Sequence, residues 1–212
     1  MVFRTLRDNA GCSWHLLIGL SLRQRGVYET RGDSSRAGPT HRHGIQPVPW
    51  ALMSETLVER LETRLRQHPL PLSSLTIEIT EDGPSGACAS SVEKLNRLRL
   101  LGIRLSIDDF GTGCSSLLRL CQVPFSEIKL AKEFIQFIDG PGHCRAVIRN
   151  TLVLAGNLGM QLVVEGIETA AQQDHLYEMG VQIGQGFLYA KPMAIDVFER
   201  WIQEPMTEAC FQ

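Results

Sequence analysis

The residues with the clearest chemical meaning are Asp108 and Asp109, inside the run Leu105-Ser106-Ile107-Asp108-Asp109-Phe110-Gly111-Thr112-Gly113. Adjacent ionised carboxylates repel one another unless a cation neutralises them. A strand that ends in such a pair, followed at once by a glycine-rich loop, is therefore suited to a metal or phosphate site. The arrangement recurs along the chain. The strand-like run 75–81 carries Glu78 and Glu81, 127–130 carries Lys129, 161–166 carries Glu165, and 183–187 carries Gln185. One strand-end acid alone is as readily a helix N-cap, and one lysine a snorkelling surface chain. Polar groups at the ends of several successive strands point instead to one shared site.

The elements that must position these residues follow from periodicity. Leu57, Val58, Leu61 and Leu65 form an apolar stripe that predicts a helix over 56–67, with Ser54 as its cap. Val92, Leu95, Leu98 and Leu101 do the same over 91–101, and further helices are predicted over 115–121, 144–158, 170–179 and 195–203. Gly102, Gly159 and Gly180 each close a helix just before a strand. The strands are predicted over 75–80, 104–108, 127–130, 161–165 and 183–189, with a weaker one near 45–48. Nearly continuous apolar strands alternating with helices give a parallel sheet covered by helices. The polar positions 78, 108, 129, 165 and 185 are separated by 30, 21, 36 and 20 residues, each interval fitting one strand-plus-helix unit. An open doubly wound sheet would gather its site at one switch point. Five consecutive contributions favour a barrel, whose site lies at the carboxyl ends of the strands.

Composition narrows the function classes. A chain of 212 residues suits one domain with a substantial core. A net charge of −2 argues against a general nucleic-acid binder. The charge is uneven, because residues 1–44 hold seven Arg, no Lys and three acids. That segment reads as an atypical, Arg-rich extension, with loop or disorder expected over 26–44. The barrel core is then expected over 45–205, with a tail over 206–212. Cys12, Cys88, Cys114, Cys121, Cys144 and Cys210 form no CxxC pair, so zinc is not expected and the thiols read as reduced and cytoplasmic. The apolar stretch 12–20 is too short to span a bilayer and lacks a clean cleavage site. His41 and His43 lie in the expected loop without a third ligand. Asp109-Phe110-Gly111 imitates a kinase metal motif, but no glycine-rich ATP loop or His-Arg-Asp loop accompanies it.

Glu78-Ile79-Thr80-Glu81, Asp108-Asp109-Phe110-Gly111-Thr112-Gly113, Lys129, Glu165-Gly166-Ile167-Glu168-Thr169 and Gln185-Gly186-Phe187 resemble, in order and spacing, the motifs of the EAL domain. That family consists of bacterial phosphodiesterases that hydrolyse cyclic di-GMP to linear pGpG. The resemblance covers about 54–203 and implies a TIM-like (β/α) barrel with two Mg²⁺ or Mn²⁺ ions. It implies that Glu78 and Asp108 serve a first ion, and that Asp108, Asp109 and Glu165 serve a second. Lys129 would hold or deprotonate the attacking water, Glu81 would order the loop after Asp109, and Glu168 and Gln185 would orient ligands or substrate. A homodimer or a regulatory protein partner is a further family expectation; a membrane is not.

The departures carry their own expectations. No Glu-Ala-Leu tripeptide occurs, although its Glu is a family ligand of the first ion. The family's Asn ligand, in a Ser-Val-Asn-Leu-like context, has its nearest counterpart in Gly44-Ile45-Gln46-Pro47-Val48, without an Asn. The Lys-Ile-Asp expected around the lysine is Lys129-Leu130-Ala131, and the usual Tyr of the loop is Cys114. The barrel is accordingly expected to be incomplete, with its first strands missing or replaced, and the first ion impaired. Catalysis is expected to be weak or absent. The alternative is an inactive module that binds cyclic di-GMP or a protein partner.

Overall fold

The computed structural model describes residues 5–7, 13–15, 20–29, 39–47, 59, 63, 72–80, 89–113, 117–140, 142–191 and 197. Nine strands and five α-helices are defined among them. The strands are β1 (Thr5–Arg7), β2 (Ser13–His15), β3 (Leu20–Glu29), β4 (Pro39–Pro47), β5 (Leu75–Thr80), β6 (Arg104–Phe110), β7 (Glu127–Leu130), β8 (Gln161–Glu165) and β9 (Ile183–Gln185). The helices are α1 (Ala89–Leu100), α2 (Leu117–Gln122), α3 (Glu133–Gln136), α4 (His143–Asn157) and α5 (Ala170–Glu178). β1 and β2 form a separate antiparallel pair, whereas β3 to β9 close into a ring in chain order. From β4 to β9 every neighbouring pair is parallel.

The TIM-like barrel expected from the sequence is present, with seven strands among the described residues against eight in the archetype. β3 supplies the closure. It runs antiparallel to β4 over nine registered positions, from Leu20 opposite Pro47 to Tyr28 opposite Pro39. It meets β9 only through Tyr28 opposite Gly184 and Glu29 opposite Ile183. The loop expected over 26–44 is therefore corrected: both ends of that stretch are barrel strands. Its Gly, Arg and His content disfavours a strand locally, but pairing on a barrel wall overrides weak β propensity. The expected helices over 56–67 and 195–203 lie almost wholly outside the described residues. The strand expected over 183–189 ends at Gln185.

Alternation along the strands divides the barrel into an apolar jacket and a polar lumen. Ile77, Ile79, Leu105, Ile107, Ile128, Leu130, Leu162 and Val164 share one cluster with the helix residues Leu95, Leu98, Leu120, Ile148, Ala155 and Leu176. The intervening positions point the other way, since successive strand side chains leave on opposite faces. Val163 and Ile183 form a small cluster of their own. Their lumen neighbours are Thr76, Glu78, Ser106, Asp108, Glu127 and Lys129, all buried. TIM barrels usually fill the interior with branched apolar chains. Here the hydrophobic stabilisation lies outside the ring, between sheet and helices.

Among the described residues no helix is long and apolar enough to cross a membrane.

Candidate functional site

Four strands deliver charge to the carboxyl mouth: Glu78 from β5, Asp108 and Asp109 from β6, Lys129 from β7 and Glu165 from β8. At the centre is Lys129, the largest of the fully buried side chains, at 1% exposure. A lysine so deep in a protein requires charged partners. Its Nζ donates to Asp108 Oδ1 and forms an ion pair with Glu165 Oε1. Glu78 Oε2 lies 3.9 Å from the same nitrogen. Glu78 and Asp108 are buried, and Glu165 is partly open to solvent. Four carboxylates against one ammonium leave a surplus of negative charge, the condition that favours a bound divalent cation.

The paired aspartates need a local device, because strict alternation would send neighbours on one strand to opposite faces. The register between β6 and β7 runs Ile107 opposite Ile128 and then Phe110 opposite Leu130, so β6 holds one extra residue. That is a β-bulge, and Asp109 sits in it with φ +55°. Left-handed backbone is costly for most side chains and tolerable for Asp, whose short polar chain fits locally. The bulge turns both carboxylates toward one place. Ligand oxygens of Asp108, Asp109 and Glu165 all lie within 4.8 Å of one another. Although Asp109 is exposed as a residue, the partial loss of hydration at its carboxyl pushes it above the usual aspartate range. The charges of Asp108 and Glu165 push the same way, against the opposing pull of Lys129. The Asp109 carbonyl accepts hydrogen bonds from Thr112 Oγ1 at 2.9 Å and Thr112 N at 3.3 Å, which ties down the start of the glycine loop.

Glu165 and Gln185 face each other across β8 and β9 in direct register. Their exit turns are stitched together: Ile167 N donates to Gln185 O at 3.1 Å, and Leu188 N to Ile167 O at 3.0 Å. The approach explains Gly186, where an added Cβ would collide with the Ile167 backbone. Gly166, with φ +78°, is fixed separately, since its added Cβ would collide with Lys132. Gln185 is only partly buried, but its Oε1 is shielded from solvent and has no hydrogen-bond partner.

The sequence-predicted residues Glu78, Asp108, Asp109, Lys129, Glu165 and Gln185 thus gather at one mouth. Glu168 lies exposed just beyond, its backbone N–H bonded to Gln172 Oε1 at 2.8 Å within the capping box of α5. Glu81 and Cys114 lie outside the described residues. The stretch proposed as counterpart of the Asn strand lies in β4, with Gly44 opposite Thr76 and Ile45 opposite Ile77, beside the strand of Glu78. The bulge at Asp109 and the Ile167 stitching escaped sequence reasoning, since neither leaves a periodic signal.

Comparison with known proteins places this geometry in a family. The model of the EAL domain matches residues 23–192. Cyclic di-GMP phosphodiesterase RocR of Pseudomonas aeruginosa is 48% identical over 164 residues, covering 77% of this chain and 42% of that protein. The bifunctional diguanylate cyclase/cyclic di-GMP phosphodiesterase MucR of the same organism is 38% identical over 137 residues, or 65% and 20% of the two chains. The chain therefore spans less than half the length of these curated relatives. The crystal structure of the EAL domain of Mycobacterium smegmatis DcpA has a TM-score of 0.70 at 30% identity, covering 76% of this chain and 71% of that one. A manganese and cyclic di-GMP complex of Klebsiella pneumoniae BlrP1 has a TM-score of 0.69 at 20% identity, covering 89% and 58%, a likeness of fold alone. With its barrel, its ordered motifs and a match across most of its length, the chain belongs to the EAL-domain family.

Proposed function

We propose that this chain hydrolyses cyclic di-GMP to pGpG, slowly, with the help of divalent cations. The observation that carries the reading is the convergence of Asp108, Asp109 and Glu165 within 4.8 Å at the carboxyl mouth, with Lys129 among them. The donor set is all carboxylate oxygen, the chemistry that suits Mg²⁺ or Mn²⁺. Asp108, Asp109 and Glu165 would hold one ion, and Glu78 with Asp108 a second. A bound pair supplies charge stabilisation for the attacking and leaving oxygens of a phosphodiester.

The remaining roles belong to the chain itself. Lys129, pinned by Asp108 and Glu165, presents an N–H that orients the attacking water toward phosphorus. Attack forms the new P–O bond and breaks the bond to one ribose oxygen, which leaves with a proton. Gln185 and Glu168 orient the substrate at the rim, and Glu81 orders the loop that follows Asp109. Without the Glu-Ala-Leu glutamate and the Asn, Glu78 and Asp108 would be the ligands left to that second ion, which is why the proposed turnover is slow. The compartment proposed is the cytoplasm, in keeping with the free thiols of Cys121 and Cys144. A second copy or a regulatory protein as partner rests on the family resemblance.

The test is incubation of the purified chain with Mn²⁺ or Mg²⁺ and cyclic di-GMP, followed by chromatography for pGpG. Product formation that Asp108→Asn abolishes is the expected result. Absence of product above the level of that variant overturns the reading. Nucleotide binding without product would then mark a binding module.

A further inference from the structure

Beside and below Glu78, the lumen contains hydroxyls that the mechanism does not use. Thr76 and Ser106 are buried, at 3% and 0% exposure, and Thr76 Oγ1 and Ser106 Oγ have no hydrogen-bond partner. Buried hydroxyls are rarely left so. Their surroundings are rich in acceptors. Ser106 is in register with Glu78 on β5 and with Glu127 on β7, which brings two carboxylates and one hydroxyl to a single level of the barrel. Each carboxylate also has a long ion pair. Glu78 lies 3.9 Å from Lys129, and Glu127 lies 3.6 Å from Arg104. A polar separation beyond hydrogen-bond range is the spacing at which water bridges.

A TIM barrel normally fills this level with branched side chains. Here Ser106 and Thr76 are small, and Arg104, in register with Thr76, reaches Gln161 and Glu127. Thr76 Oγ1, Ser106 Oγ and the Glu78 carboxylate are three polar groups, the number of partners a buried water takes.

We propose that the barrel holds an ordered internal water bound by Thr76 Oγ1, Ser106 Oγ and the Glu78 carboxylate, and that Ser106 is a positioning residue for Glu78. Through this water Ser106 fixes the rotation of the Glu78 carboxylate beneath the ion site. The hydration half stands on the geometry alone; the positioning half rests on the phosphodiesterase reading.

Three measurements on the full chain test it. A crystal structure of the metal-free protein should show water within hydrogen-bond distance of both hydroxyls. A dry lumen, or hydroxyls bonded directly to other side chains, overturns the proposal. Thr76→Val and Ser106→Ala should each lower Tm by about 3 °C, because each strips a partner from the water. A rise in Tm for both overturns it, since removing unsatisfied hydroxyls from a dry site relieves a penalty. Calorimetric titration with Mn²⁺ should show about tenfold weaker binding for Ser106→Ala, restored by Ser106→Thr. Unchanged affinity refutes the positioning role. Failure of the unsubstituted chain to bind Mn²⁺ refutes the phosphodiesterase reading instead, and leaves the first two measurements to decide the water site.

Discussion

Replacing Lys129 by Met tests the electrostatic logic of the site without needing substrate. The substitution keeps most of the volume and removes the ammonium that Glu78, Asp108 and Glu165 share. At 3.9 Å and an effective dielectric constant near 20, the gross attraction between Lys129 and Glu78 alone is about 4 kcal/mol. Asp108 and Glu165 are closer still. Desolvation of the ammonium offsets much of that sum, so the net worth of the cluster is small. Truncating one partner is different, because it strands carboxylates at 0% and 4% side-chain exposure. Breaking a buried pair in this way costs about 3–5 kcal/mol. In urea with EDTA present, the unfolding midpoint should fall by at least about 1 M. Mn²⁺ should recover about 2.7 kcal/mol of the loss at a hundredfold excess over its Kd. A loss below about 1 kcal/mol, with no response to Mn²⁺, would show that the acids do not depend on the ammonium.

Asp109 gives a pH-dependent test in metal-free protein. Its carboxyl is raised on folding, so the folded state binds its proton more tightly than the unfolded chain does. Stability from this group is present at low pH and lost as pH rises through the window just above the usual aspartate range. Asp109→Asn should remove that slope while keeping the bulge, whereas Asp109→Val, β-branched at φ +55°, should destabilise at every pH, as followed by thermal unfolding. Gly186→Ala should cost about 3 kcal/mol or more, because its Cβ meets the backbone of Ile167, and calorimetry would detect it. Thr169→Ala, which removes the hydroxyl accepting from Gln172 N at 3.2 Å, should cost about 1 kcal/mol by chemical denaturation.

Much of this arrangement was legible in the sequence, for physical reasons. The strands β5 to β8 announce themselves because both faces are buried, one against helices and the other in the lumen. The helix stops at Gly102, Gly159 and Gly180 are readable because each adopts a positive φ that other residues resist. Glu78, Asp108, Lys129 and Glu165 were located because polar residues in otherwise apolar strands demand an explanation. The remainder depends on distant partners. β3 and β4 are strands because neighbouring strands satisfy their backbone groups, not because 26–44 prefers extension. The bulge is equally silent, since Asp108-Asp109 would read the same on a regular strand, where only one of the two could face the cluster. Ser106 and Thr76 look like ordinary strand residues until the register sets them beside Glu78 and Glu127.

The division of the barrel into a greasy exterior and a charged interior has a further consequence. From β5 to β8 each strand answers two different demands in alternate letters: one set of positions packs against the helices, and the other carries the candidate site. Because the two sets leave on opposite faces of the sheet, changes to the packing layer can tune durability while the acids keep their places. Changes inside the tube fall on the candidate site itself.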